Sequence, residues 1–192
     1  MKTAIFLLAG AMLLLAVAIT GNRKGPSAEG KSGAALIARV AVERQKDKDE
    51  KEKTAVLEWM SRGSGLHLNT VERIYDDAHR HRFPDVLIAI AKVESNFDPE
   101  ALSDRGAVGL MQVVGGTWAE ELRQHGIIRD EEDLFNASKC MDAGAYILDK
   151  YMAWKRGNLE AALIHYGGPA DHDYVRRILA ALDEIRAVKG KN

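Results

Sequence analysis

Apolar residues recur at helical spacing along most of this chain, and the most informative run lies between Phe83 and Glu94. Pro84 suits a first helical turn, where its missing N–H costs little. Leu87, Ile90 and Ala91 then fall at i, i+3 and i+4, and the next position on that stripe is Glu94. A carboxylate stands where the pattern asks for a core residue. Ser95-Asn96-Phe97-Asp98-Pro99 ends this helix, and Gly106-Ala107-Val108-Gly109-Leu110-Met111-Gln112 follows. A helix end, a glycine-bearing turn and a second short helix are expected to converge on the one acid.

The flanking segments carry the same period. Asn69 is placed to cap a helix, with Glu72 three residues on and Val71, Ile74, Tyr75 and Ala78 as its inner stripe. Thr117 is placed to cap another, running to about His125 and stopped by Gly126. Asp133 to Asn136 begins a further element, and Ala137 to Trp154 is long and periodic through Met141, Ala145, Leu148 and Met152. After a turn at Gly157-Asn158, Leu159 to Tyr166 forms a short helix broken by Gly167-Gly168-Pro169, and His172 to about Val188 forms the last, with Val175, Ile178, Leu179 and Leu182 inward. No long segment alternates at the strand period. The fold class is therefore all-α, six or seven helices around a cleft without internal repeats, over residues 66–190.

What precedes that domain differs in kind. Ala4 to Ile19 is an uncharged apolar run behind Met1-Lys2, short for a bilayer span of about 20 residues. Ala16-Val17-Ala18 offers a small-x-small cleavage pattern. Residues 1–20 read as an export segment, a cleaved signal peptide in preference to an inner-membrane anchor, so the chain is expected in the periplasm or cell envelope. Residues 21–65 read as a spacer, because Glu43 to Lys53 is a charge run with nothing to bury, an exposed helix or a solvated linker.

Composition narrows the chemistry. Among 192 residues, Lys plus Arg number 27 and Asp plus Glu 28, so no charge excess points to nucleic acid. The one cysteine, Cys140, sits among Ala137, Met141 and Gly144 as a small core residue and excludes an internal disulfide. His79 and His81 are two apart on a helix and face different ways, which is poor for joint metal ligation. No metal site and no cofactor is expected.

Glu94-Ser95-x-Phe97-x-Pro99-x-Ala101-x-Ser103 followed by Gly106-Ala107-x-Gly109-Leu110-Met111-Gln112 resembles the lytic transglycosylase family, whose domain is related to goose-type lysozyme. The likeness continues through Asp133-x-x-Asn136, Gly144, Tyr146-x-Leu148 and Ala162-Leu163-x-x-Tyr166, covering about Thr70 to Ile185. It implies a lysozyme-like helical domain that cuts peptidoglycan glycan strands between N-acetylmuramic acid and N-acetylglucosamine and leaves a 1,6-anhydro end. The spacer and the small size of the chain suit local remodelling of the cell wall, serving an envelope-spanning secretion or conjugation apparatus or a phage. Two departures stand out. The apolar-Met-Pro that commonly follows Gly-Leu-Met-Gln reads Val113-Val114-Gly115 here, and the Tyr-Asn before Gly-Pro reads Tyr166-Gly167-Gly168-Pro169, one residue shorter and without the amide.

Most glycosidases use two carboxylates. Here one acid lies on an apolar stripe, while Asp98, Glu100 and Asp104 fall in turn-like sequence beyond the helix end. The resemblance implies a route with one acid: Glu94 protonates the leaving oxygen, then accepts a proton from the sugar's own 6-hydroxyl as that hydroxyl attacks the anomeric carbon. Burial against Leu87, Ile90, Met111 and Tyr166 would raise its pKa toward neutrality. By the same likeness Ser103 and Gln112 hydrogen-bond sugar groups, Met111 lines the apolar part of the groove, and Tyr166 bonds Glu94 or supports the reacting ring. Each has a plainer alternative: Ser103 a turn cap, Gln112 a surface amide, Met111 and Tyr166 core residues. Two other functions stay open, a muramidase that uses water and a glycan-binding scaffold without turnover.

Overall fold

The computed structural model describes residues 28–168, 171 and 173–190. The expected export segment, residues 1–20, lies outside them. Among the described residues there are seven α-helices: α1 (Ala28–Ser64), α2 (Leu68–Ala78), α3 (Pro84–Ser95), α4 (Gly115–Gln124), α5 (Ala137–Trp154), α6 (Leu159–Gly167) and α7 (Tyr174–Lys189). None is long and apolar enough to cross a membrane. The all-α expectation needs one amendment. Two-residue strands β1 (Ala107–Val108) and β2 (Val113–Val114) pair antiparallel, Ala107 with Val114 and Val108 with Val113, where the sequence predicts a turn leading to a helix.

The chain divides into two compact units at Arg44/Gln45. The described part of the first is the start of α1, whose Leu36, Ile37 and Val42 are exposed. In the second unit the rest of α1 is no mere spacer, and the compact body starts well before Leu66. Val56 and Met60 have no accessible surface. Lys53 pairs with Glu72 and Asp76 of α2 at 2.9 and 3.0 Å. Trp59 donates its indole N–H to Glu184 of α7 at 2.9 Å and meets Phe97 edge to face. The charge run is helical because alternating signs leave no long like-charged stretch, and its apolar tail supplies a core face.

Helix starts follow backbone entry more than the nearest polar side chain. His67 and Val114 occupy the N-cap positions of α2 and α4 without side-chain caps, which puts Asn69 and Thr117 inside the first turns instead. Elsewhere the caps are local and legible: Asn136 accepts from Lys139 N and Asn158 from Ala161 N. A short 3₁₀ helix, Glu131–Phe135, fills the segment before α5.

For the site, the α3/α7 pair matters most. The helices run antiparallel, with Lys189 at the end of α7 bonded to both carboxylate oxygens of Asp85 at the start of α3, at 2.7 and 2.8 Å. That ion pair pins one end of the couple, so the start of α7 falls opposite the end of α3. Leu87 to Ala91 are buried on one side of this contact, and Ile178, Ala181, Leu182 and Ile185 on the other. The stripe of α7 is Tyr174-Ile178-Ala181-Leu182-Ile185: of the four residues expected inward, Ile178 and Leu182 are buried, and Val175 and Leu179 are half-buried at its edge.

Candidate active site

Glu94 occupies the last turn of α3. The helix is closed by Asn96 and Phe97, both left-handed at φ 53° and 68°, with Phe97 N–H bonded back to Ala91 O and Asn96 N–H to Lys92 O. A left-handed Phe is strained, and its complete burial against Trp59 holds it there. Ser95 then ties the helix end to the hairpin, donating its hydroxyl to Leu110 O at 2.8 Å. The chain therefore turns sharply just after Glu94, and the hairpin tip returns beside it.

Glu94 is half-buried. Its Oε1 accepts a hydrogen bond from the Tyr174 hydroxyl at 2.7 Å. Desolvation is the dominant influence and lifts its pKa from 4.5 to about 7; the Tyr174 hydrogen bond and the Arg177 charge pull the other way, and Asp171 adds slightly to the rise. Asp171 is itself paired with Arg177. No basic residue neutralises Glu94 by direct contact among the described residues.

Tyr166 does not bond Glu94. Its hydroxyl donates to Met111 O at 3.2 Å, and its ring lies nearly parallel to that of Tyr174, with centroids 6.5 Å apart. Tyr174 takes the position beside the acid. Burial and the nearby Glu94 charge push both phenols well above the ordinary value, so both stay protonated donors. Tyr174 is the neighbour of Glu94 that sequence reasoning misses; the available signal is its place at the head of the buried α7 stripe.

The sequence departure at Gly167 acquires a reason here. A Cβ at this position would enter the Tyr174 ring. The space beyond Tyr166 that a larger residue would take is filled by that ring, so the missing amide and the placement of Tyr174 belong together. Pro169 of the same loop lies outside the described residues.

The other expected site residues divide. Met111 is wholly buried, its side chain against Gly144, where a Cβ would stand 2.7 Å from Met111 Cε. It belongs under the site and not on a groove wall, since close approach to a glycine leaves it no exposed face. Gln112, at φ 48°, donates its amide N–H groups to Ala101 O and Gly109 O at 3.2 and 3.1 Å. Among the described residues no donor meets its Oε1. Ser103 is a turn residue, its Oγ accepting from Ala107 N at 3.0 Å and its N–H bonding Ala107 O at 2.9 Å. Gly109 must be glycine: φ is 73°, and a Cβ would strike the carbonyl of Leu134. Cys140 is sealed beneath the hairpin, its sulfur accepting from Met111 N at 3.3 Å, and burial pushes its thiol up to about 12. Asp98, Glu100 and Asp104 are exposed, and Asp98 caps its own turn by accepting from Glu100 N. His81 contacts Asp142 at 2.9 Å and His79 stacks on Tyr75. Neither lies on α2, which ends at Ala78 and not at His81 as the spacing predicts, and no group of metal-ligating side chains occurs among the described residues.

Residues 75–177 match the model of the transglycosylase SLT domain family, more than half of the 192-residue chain. The chain belongs to that family. The match runs from the last turn of α2 through α3, the hairpin, α4, α5 and α6 to the first turn of α7, and so includes Glu94, Tyr166 and Tyr174. The helical architecture is consistent with an SLT domain, and membership supports a peptidoglycan-acting function of the lytic transglycosylase type in general. No curated protein matches the chain significantly.

Proposed function

We propose that this SLT domain protein is a peptidoglycan lytic transglycosylase in which Glu94 serves as both acid and base. Protonated Glu94 gives its proton to the oxygen linking N-acetylmuramic acid to N-acetylglucosamine, and the bond from that oxygen to the anomeric carbon breaks. The 6-hydroxyl of the muramoyl sugar then attacks the anomeric carbon and returns its proton to Glu94. Atoms balance without water, and the product ends in a 1,6-anhydro ring. The observation that carries this reading is the half-buried Glu94, its pKa raised to about 7 by desolvation, whose hydrogen-bond partner among the described residues is the neutral hydroxyl of Tyr174. Such a group holds a proton to give and gains little by keeping it.

Gln112 Oε1, which meets no donor among the described residues, would accept from a sugar amide or hydroxyl, and Tyr166, through Met111 O, keeps the hairpin seated beneath it. Met111 supports that seat from below, and Ser103 shapes the turn before it. The apolar run of residues 4–19 supports export to the cell envelope, where this substrate lies.

A water-using muramidase draws on a specific neighbour, because Asp171 is the second carboxylate whose charge reaches Glu94. Its pairing with Arg177 makes it a poor base for water. Mass spectrometry of muropeptides released from purified sacculi separates the two: anhydro ends are expected, and reducing ends would overturn the proposal. Glu94→Gln is expected to fold and to lose turnover by at least about a hundredfold.

A further inference from the structure

Away from Glu94, α4, α5 and α6 bring four aromatic rings together at the surface. Trp118 meets Tyr151 edge to face at 5.8 Å; Tyr151 lies 6.4 Å from Trp154 and 5.7 Å from His165; Trp154 and His165 are 4.5 Å apart. Trp154 is 63% exposed, an unusual position for the largest apolar side chain. Lys155 Nζ stands 3.5 Å from the Trp154 ring centroid and Lys150 Nζ 5.3 Å from that of Trp118. Nothing in the fold requires Trp154 to be there, since its ring adds little to the core.

The cluster shares elements with the site. His165 and Tyr166 are consecutive on α6, so one turn carries a ring of the cluster and the phenol that holds Met111 O. Trp118 sits in the first turns of α4, which begins directly after the hairpin bearing Met111 and Gln112. We infer that Trp118, Tyr151, Trp154 and His165 form an aromatic platform that holds the glycan strand beyond the bond being cut. The inference rests on the reading of Glu94 as the centre of a glycan-cleaving site.

The chemistry fits a polymer of acylated amino sugars. An aromatic face is electron-rich and receives the C–H edge of a pyranose ring, while the ring's hydroxyls stay in water. Rigid, partly exposed Trp and Tyr side chains contribute large contact area at small entropic cost. Lys155, held over the Trp154 ring by cation–π attraction, is long enough to swing aside and meet the carboxylates that muramoyl and stem-peptide units carry, whereas Lys150 is paired with Glu121.

Binding is read on the Glu94→Gln protein, full chain, with purified glycan strands of defined length, by tryptophan fluorescence or calorimetry. Trp154→Ala is expected to lower the ratio of long-strand to disaccharide affinity by about fivefold to tenfold, and Trp154→Tyr to restore most of it. Because Trp154 is exposed, its removal should leave the melting temperature within about 2 °C of the parent. Equal affinity for long strands in parent and Trp154→Ala overturns the platform, as does an equal loss for short and long ligands. A concentration-dependent dimer dissolved by Trp154→Ala, with strand affinity unchanged, would assign the patch to a second copy of the chain and also overturn it. If wild type releases anhydro muropeptides while Trp154→Ala binds long strands normally, only the platform falls. If wild type neither binds nor cleaves strands of any length, the reading of Glu94 falls with it.

Discussion

The hydroxyl of Tyr174 donates to Oε1 of Glu94 at 2.7 Å, joining the first residue of α7 to the last turn of α3 across 80 positions of sequence. A hydrogen bond to the ionised carboxylate stabilises it, while desolvation opposes it, and the proton affinity of Glu94 is the balance of the two.

Tyr174→Phe tests the first side of that balance. It keeps the ring against Gly167 and deletes the donor. Glu94 would then hold its proton more tightly, and the alkaline limb of kcat/KM, expected near pH 7 for a protonated acid, should move upward. A pH–rate profile on purified sacculi checks it. An unchanged limb would mean that Tyr174 does not tune Glu94.

The second side appears in stability. Glu94 has a folded pKa raised to about 7 from an ordinary 4.5, so between these values the folded state binds a proton that the unfolded state lacks. Stability contributed by this group is full below about pH 4.5 and declines as pH rises to about 7, by at most about 3 kcal/mol. Glu94→Gln removes the titration. Denaturant melts should show the variant gaining on wild type as pH rises through this window and the difference levelling above it. A constant difference across the window would refute the raised pKa.

Gly167→Ala should act through Tyr174. The added methyl group must displace the ring, costing about 1–3 kcal/mol by overpacking and loosening the bond to Glu94. The variant is expected to melt lower than wild type and to share the upward alkaline shift of Tyr174→Phe. A lower melting temperature with an unmoved pH profile would show that the ring can shift without losing its partner.

Cys140 offers a control on the core beneath the site. Its buried thiol, pushed up to about 12, presents almost no thiolate at pH 8. Iodoacetamide should label it only in denaturant and leave glycan cleavage intact. Labelling of the native protein at a rate near that of a free thiol would mean that the hairpin opens over it.

Local grammar made much of the fold legible. Periodicity places α3, α5 and α6 within about a residue of their bounds, Asn136 and Asn158 cap where short polar side chains precede apolar runs, and Glu94 stands out because it interrupts a stripe. These features depend on neighbours within a few residues. The caps at Asn69 and Thr117 were less readable, since the N-caps fall two and three residues earlier, at His67 and Val114, which make no capping hydrogen bond, set by how the chain enters from Gly65 and from β2.

By itself, the sequence determined which acid is set apart and which segments are helical, because both are written in spacing along the chain. Only the tertiary structure decided that Tyr174 and not Tyr166 meets Glu94, that Met111 lies under the site against Gly144, and that the end of α1 belongs to the core. Each of these depends on which faces two distant helices turn toward one another. The antiparallel register of α3 and α7, pinned at Asp85 and Lys189, fixes that choice through contacts whose partners are separated by up to 104 residues. No local pattern encodes a partner so far away, and the pKa of Glu94 follows from the packing it completes.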